Sequence, residues 1–220
     1  MDEQTRIREI YDRLTHTRDI QKWEPTSLSH FEGKPFHALL AAMLSAQTRE
    51  ENTTLAINNL LALADTPEGI TQLSDDQIRT AISPVMYFEG KVRYVRDIAE
   101  QVAANGGVVP HTIDELMEYK GVGWKVAVLT LAMGYGINED ITVDVHVARI
   151  GIRLGLVKPT TKQPPKVNEE LKQVLPRDMW PYWNALMVMF GRAICLPTYP
   201  QCKRCPLNDI CPKVGVKQHG

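Results

Sequence analysis

All four cysteines of the chain, Cys195, Cys202, Cys205 and Cys211, fall within seventeen residues, with six, two and five residues between them. A disulfide framework does not suit this arrangement. The start, Asp2-Glu3-Gln4-Thr5-Arg6, is charged and polar rather than a secretory signal, and the 194 residues upstream contain no cysteine to staple. Four thiolates in one short loop suit a metal. Zinc, held tetrahedrally by four cysteines, and a 4Fe-4S cube both fit that donor set. Zinc ribbons commonly use two C-x-x-C pairs, and here Cys202 and Cys205 form the one such pair. Spacing alone leaves both open.

Elsewhere apolar residues recur at helical intervals: Ile7, Ile10, Tyr11 and Leu14; Phe36, Leu39, Leu40, Met43 and Leu44; Leu55, Ile57, Leu60 and Leu61. No convincing run alternates as a strand would. Ser74-Asp75-Asp76-Gln77 and Thr112-Ile113-Asp114-Glu115 both fit a capping box, in which two side chains satisfy orphan backbone donors at a helix start. The expected fold is all-α with short connections, marked by Gly106-Gly107, Pro110, Gly136, Pro159, Pro164-Pro165 and Pro197. No fixed-period repeat points to a solenoid. At 220 residues the chain buries a real core, and no apolar stretch approaches membrane-helix length, so a soluble, intracellular protein is expected.

A formal net charge of -1 gives no whole-molecule attraction for a polyanion, so any nucleic-acid surface has to be a local patch. The tail is locally basic, with Lys203, Arg204, Lys213 and Lys217 against Asp209. A solvated terminus explains that equally well.

Between two helical patterns lies Met117-Glu118-Tyr119-Lys120-Gly121-Val122-Gly123-Trp124-Lys125-Val126-Ala127, which reads as a helix-hairpin-helix. Gly121 and Gly123 allow a tight turn and close approach to a phosphate, and the N–H groups opening the next helix favour an anion. Many helical hairpins use glycine with no ligand. Lys125 near that helix start is a candidate nucleophile if partly removed from water, and otherwise a cation for phosphate. Nineteen residues on, Asp144 precedes the amphipathic run Val147, Ile150, Gly151 and Leu154, where its ordinary role is a helix N-cap.

Three segments together resemble the endonuclease III family: the C-x6-C-x2-C-x5-C loop preceded by Trp183 and Gly191-Arg192, the hairpin with Lys125, and Val143-Asp144-Val145-His146. Leu44-Ser45-Ala46-Gln47-Thr48 also matches that family, and the likeness runs from about Phe36 to Cys211. The resemblance implies a two-lobed helix-hairpin-helix DNA glycosylase fold, with residues 28–138 as a central six-helix domain and 1–27 plus 139–220 as a second helical domain carrying a 4Fe-4S cluster. It implies that Lys125 forms a Schiff base and that Asp144, from the opposite lobe across a cleft, assists it. The implied DNA contacts are Gln47 in the gap left by an everted nucleotide, Tyr87 as a second wedge, Gly121, Val122 and Gly123 on phosphate, and Lys203 and Arg204 on the backbone. Cys195, Cys202, Cys205 and Cys211 would hold the cluster.

The implied activity is removal of oxidised pyrimidines from double-stranded DNA with strand nicking, by a monomer in the cytoplasm near the nucleoid. Tyr119-Lys120 stand where the family usually has Leu-Pro, and Trp124 and Val126 also depart from its pattern. These changes flank Lys125 and leave the base preference open, so 8-oxoguanine and mismatch glycosylases are alternatives. A non-catalytic DNA-binding module and an electron carrier are rivals of other classes; the first predicts no covalent intermediate, and the second leaves the helical remainder unexplained.

Overall fold

The computed structural model describes residues 2–137, 140–218 and 220, and among these every regular element is helical. The chain divides into two compact units, Met1–Pro25 with Asn138–Gly220, and Thr26–Ile137. The boundary expected at residues 138 and 139 lies outside the described residues. No described helix is long and apolar enough to cross a membrane.

The unit Thr26–Ile137 is built around α2 (Pro35–Ser45), which carries Pro at its first position, where a missing N–H costs nothing. Every residue from Ala38 to Leu44 is buried, so α2 is enclosed by its neighbours α3 (Glu50–Leu63) and α8 (Trp124–Thr130). Close approach is enforced at Gly134, in the π turn Leu131–Tyr135 that continues α8, where a Cβ would stand 2.6 Å from the Pro35 Cα. The remaining helices are α4 (Pro67–Thr71), α5 (Asp75–Ile82), α6 (Phe88–Ala104) and α7 (Ile113–Met117).

Local chemistry starts several of them. Ser74 and Gln77 form the complete capping box of α5. At α7 the Thr112 hydroxyl caps the Glu115 N–H, but the Glu115 carboxylate bonds that hydroxyl at 2.6 Å rather than the backbone, so the box is half formed. Leu55 also departs from the expected stripe. The buried face of α3 is Thr53, Ala56, Ile57 and Leu60, and Leu55 points to solvent on the other side.

The hairpin joining α7 to α8 turns at Gly121, whose φ of 82° is left-handed. A Cβ there would lie 2.5 Å from the Tyr94 ring of α6. Gly121→Ala therefore combines backbone strain with a ring clash and should lower unfolding free energy by about 2–4 kcal/mol. Urea denaturation checks this, and an unchanged midpoint would show that the turn relaxes at no cost.

In the other unit α1 (Glu3–Gln21) buries Ile7, Ile10 and Leu14 as one stripe, against α10 (Pro164–Val174) and α11 (Trp180–Ala193). Trp183 and Phe190 of α11 are fully enclosed, and Trp23 stacks on Phe190 with centroids 5.9 Å apart. α9 (Val145–Arg153) packs on α11 where Gly191 leaves room: a Cβ would fall 2.4 Å from His146 Nδ1 and 2.8 Å from Arg149 Nη2. The Gly191-Arg192 pair noted in sequence thus has a packing reason at Gly191.

Candidate functional site

The hairpin presents α8 without a side-chain cap, because Gly123 is its N-cap residue in an extended conformation. Val122 is buried, and its N–H donates to the Tyr119 carbonyl at 3.1 Å. Gly121 and Gly123 stay exposed on either side of it, so the turn is anchored by one apolar residue and shows backbone to solvent. Lys125 follows in the first turn of α8 and is exposed in the DNA-free protein. Its sequence neighbour Trp124 is a large apolar residue left 37% exposed.

Asp144 belongs to the other unit and caps α9. Its Oδ1 accepts the His146 N–H at 2.8 Å and the Val147 N–H at 2.9 Å. Both bonds fall on one oxygen, which leaves Oδ2 outside the cap. The preceding residues Ile141, Thr142 and Val143 are buried, and Asn184 Nδ2 donates to the Thr142 carbonyl at 3.2 Å. The carboxylate is thereby mounted on a fixed backbone.

Gln47 and Tyr87 lie in two loops of the Thr26–Ile137 unit, after α2 and before α6. Both adopt left-handed backbone conformations, with φ of 55° and 57°. Tyr87 is 67% exposed while Phe88 packs against the core, so the aromatic pair divides its roles. The loops are bonded together, the Met86 N–H donating to the Thr48 hydroxyl at 3.2 Å. Beneath them the ammonium of Lys91, a residue only 6% exposed, donates to the Leu44 and Ala46 carbonyls at 2.8 Å each. Burial pulls this amine down to about 8, so it keeps its proton at neutral pH. In sequence Lys91 only marks the end of the family-like segment 86–91 and has no role of its own. The available signal was a lysine at an apolar position of a helical stripe, in register with Val92, Val95, Ile98, Ala99 and Val102.

The four cysteines line one cavity, together with Ile150, Leu154, Phe190, Ile194 and Leu207. Burial raises the Cys202 and Cys211 thiols and pushes Cys205 up to about 12, so these sulfurs become thiolates only when a cation joins them. Arg153 supplies positive charge at the wall: its Nη1 approaches Cys195 Sγ at 3.2 Å and donates to the Leu196 carbonyl at 2.7 Å. Among the described residues no three His, Cys, Asp or Glu side chains converge on a point that one metal ion could occupy. Lys203 and Arg204 sit exposed in this loop, on a 3-10 turn over Cys202–Arg204, and Arg204 donates to the Ala193 carbonyl at 2.8 Å.

Residues 40–177 match the model of the HhH-GPD superfamily of base excision DNA repair proteins. The chain is 36% identical over 195 residues to endonuclease III of Thermotoga maritima, covering 88% of this chain and 89% of that one. It is 38% identical over 178 residues to endonuclease III-like protein 1 of Mus musculus, covering 80% of this chain and 59% of the relative, and so spans about three fifths of that longer protein. Among solved structures, a trapped covalent intermediate of an endonuclease III with DNA is similar at a TM-score of 0.75 and 27% identity, over 94% of this chain and 95% of that one.

Proposed function

The chain belongs to the HhH-GPD superfamily of base excision DNA repair proteins, and on that premise we propose that it is a bifunctional DNA glycosylase and abasic-site lyase for oxidised pyrimidines. The observation that carries this reading is a primary amine, Lys125, held exposed at the opening of an uncapped helix beside a glycine turn. A DNA phosphate satisfies the free N–H groups of that helix start and brings the strand to the amine. Exposure suits a residue that must meet an everted nucleotide.

In this reading the Lys125 amine attacks the anomeric carbon of the sugar as the bond to the damaged base breaks. The base departs with the electron pair of that bond and takes up a proton. Ring opening gives an imine between Lys125 and the sugar, and loss of a proton from the adjacent carbon expels the 3′ phosphate. Asp144 is the carboxylate that stabilises positive charge developing on the sugar and receives a proton from the amine. Gln47 and Tyr87 fill the space vacated by the nucleotide, and Gly121, Val122, Gly123, Lys203 and Arg204 contact the backbone.

We assign a 4Fe-4S cluster to Cys195, Cys202, Cys205 and Cys211. The lining of one cavity by all four cysteines supports this assignment, since a 4Fe-4S cube takes four thiolates. Cys195, Cys202, Cys205 and Cys211 would hold the cluster, and the bonds from these four residues would tie down the loop that carries Lys203 and Arg204. The division Thr26–Ile137 against the remainder supports a hairpin domain and a cluster domain. Double-stranded damaged DNA is the partner, met by a monomer in the cytoplasm near the nucleoid.

The reading is tested by offering single duplexes that carry an oxidised pyrimidine, 8-oxoguanine, a mismatch or an abasic site, with base loss scored separately from strand cleavage. Release of the oxidised pyrimidine and nicking of the abasic duplex are the expected results. Binding of all four with neither reaction would return the chain to a non-catalytic DNA-binding role.

A further inference from the structure

Lys91 is buried, charged and far in sequence from what it bonds, and nothing in the proposed chemistry uses it. It projects from the first turn of α6 to the C-terminal end of α2. The Leu44 carbonyl there is among the last four of α2, which lack partners within the helix, and the negative end of the helix dipole lies at the same place. An ammonium has three donors, and three acceptors surround this one: the Leu44 and Ala46 carbonyls and the Thr48 hydroxyl at 3.3 Å. The Thr48 hydroxyl is saturated in turn. It donates to the Ala46 carbonyl at 3.2 Å while accepting from Lys91 and from the Met86 N–H.

Gln47 stands between two residues that Lys91 holds, and Tyr87 directly follows the residue that Thr48 holds. These two are also strained: left-handed backbone at a residue other than glycine occurs at only four described positions, Lys22, Gln47, Tyr87 and Lys213. Such conformations persist where surrounding contacts over-determine them. Here those contacts converge on a single buried ammonium.

We propose that Lys91 is a positioning residue that locks the Gln47 and Tyr87 loops into one rigid wedge, so that both side chains enter the DNA gap together. This rests on the assignment of Gln47 and Tyr87 to that gap. Lys91 touches no nucleotide; it fixes the backbone from which the two side chains project.

The test uses the full chain, an intact duplex, and a duplex with one tetrahydrofuran abasic analogue opposite 2-aminopurine. Lys91→Met keeps an unbranched side chain, one atom shorter, and removes the charge and all three donors. It should weaken binding to the tetrahydrofuran duplex about tenfold and abolish the 2-aminopurine fluorescence change, with affinity for the intact duplex altered less than about twofold. In a Gln47→Ala/Tyr87→Ala background the same substitution should have no further effect, because its action runs through those side chains. Thr48→Val, which removes the hydroxyl that joins Lys91 and the Ala46 carbonyl to the Met86 N–H but leaves the two carbonyl bonds of Lys91, should reproduce the fluorescence loss, and it carries the test if Lys91→Met does not fold. Multiplying losses in the double-mutant background, or wild-type fluorescence in both variants, would overturn the positioning role. Wild-type behaviour of the Gln47→Ala/Tyr87→Ala protein itself would instead remove the wedge assignment beneath it.

Discussion

Replacing Asp144 by asparagine should slow release of the damaged base by about 10²–10³-fold while α9 stays folded. The carbonyl oxygen of asparagine can accept the His146 and Val147 N–H groups as Oδ1 of Asp144 does now, and asparagine ranks beside aspartate as an N-cap. What disappears is the negative charge. Preorganised charge aimed at a developing cation contributes only in the transition state, so the loss should appear in the single-turnover rate rather than in DNA affinity. Asp144→Ala is the useful contrast, since it removes cap and charge together and should also cost about 0.5–2 kcal/mol of stability. Base release at the wild-type rate in Asp144→Asn would reduce this residue to its capping role.

Lys125→Arg should abolish incision of a preformed abasic site, by at least about 10³-fold, while retaining DNA binding. Arginine keeps the positive charge and the reach toward phosphate, but a guanidinium stays protonated at any accessible pH and cannot form the imine. Because Lys125 is exposed, neither arginine nor alanine there disturbs the core, and thermal unfolding should match the wild type. An effect on affinity alone, with incision intact, would mean that this lysine only neutralises phosphate.

Much of the scaffold was legible in the residues because its signals are local. The Ser74 and Gln77 side chains make their capping box within one helical turn, and Ile7, Ile10 and Leu14 show their buried face by spacing alone. The cysteines announced a common purpose by crowding, and they do line one cavity. Other features depend on partners that are distant in the chain. Thr112 and Glu115 carry the letters of a capping box, yet the carboxylate takes the hydroxyl instead of the backbone. Leu55 looks like part of an apolar stripe until the neighbours of α3 define which side is inside. Lys91 reads as an interruption of a helix, since the carbonyls that justify it lie more than forty residues earlier. The left-handed backbone at Gln47 and Tyr87 was equally hidden, because nothing in a glutamine or a tyrosine asks for it.

The candidate chemistry divides in the same way. Lys125 and Asp144 were found through their segments, and the structure adds what each offers: an exposed amine at an uncapped helix start, and a carboxylate with one oxygen committed to a cap. The two belong to different compact units.

Borohydride reduction during reaction with an abasic duplex, followed by peptide mapping of the protein-DNA cross-link, tests the central claim most directly. One covalent adduct at Lys125, absent from the Lys125→Arg protein, is the predicted result. An adduct on a different amine, or equal cross-linking by Lys125→Arg, would contradict it.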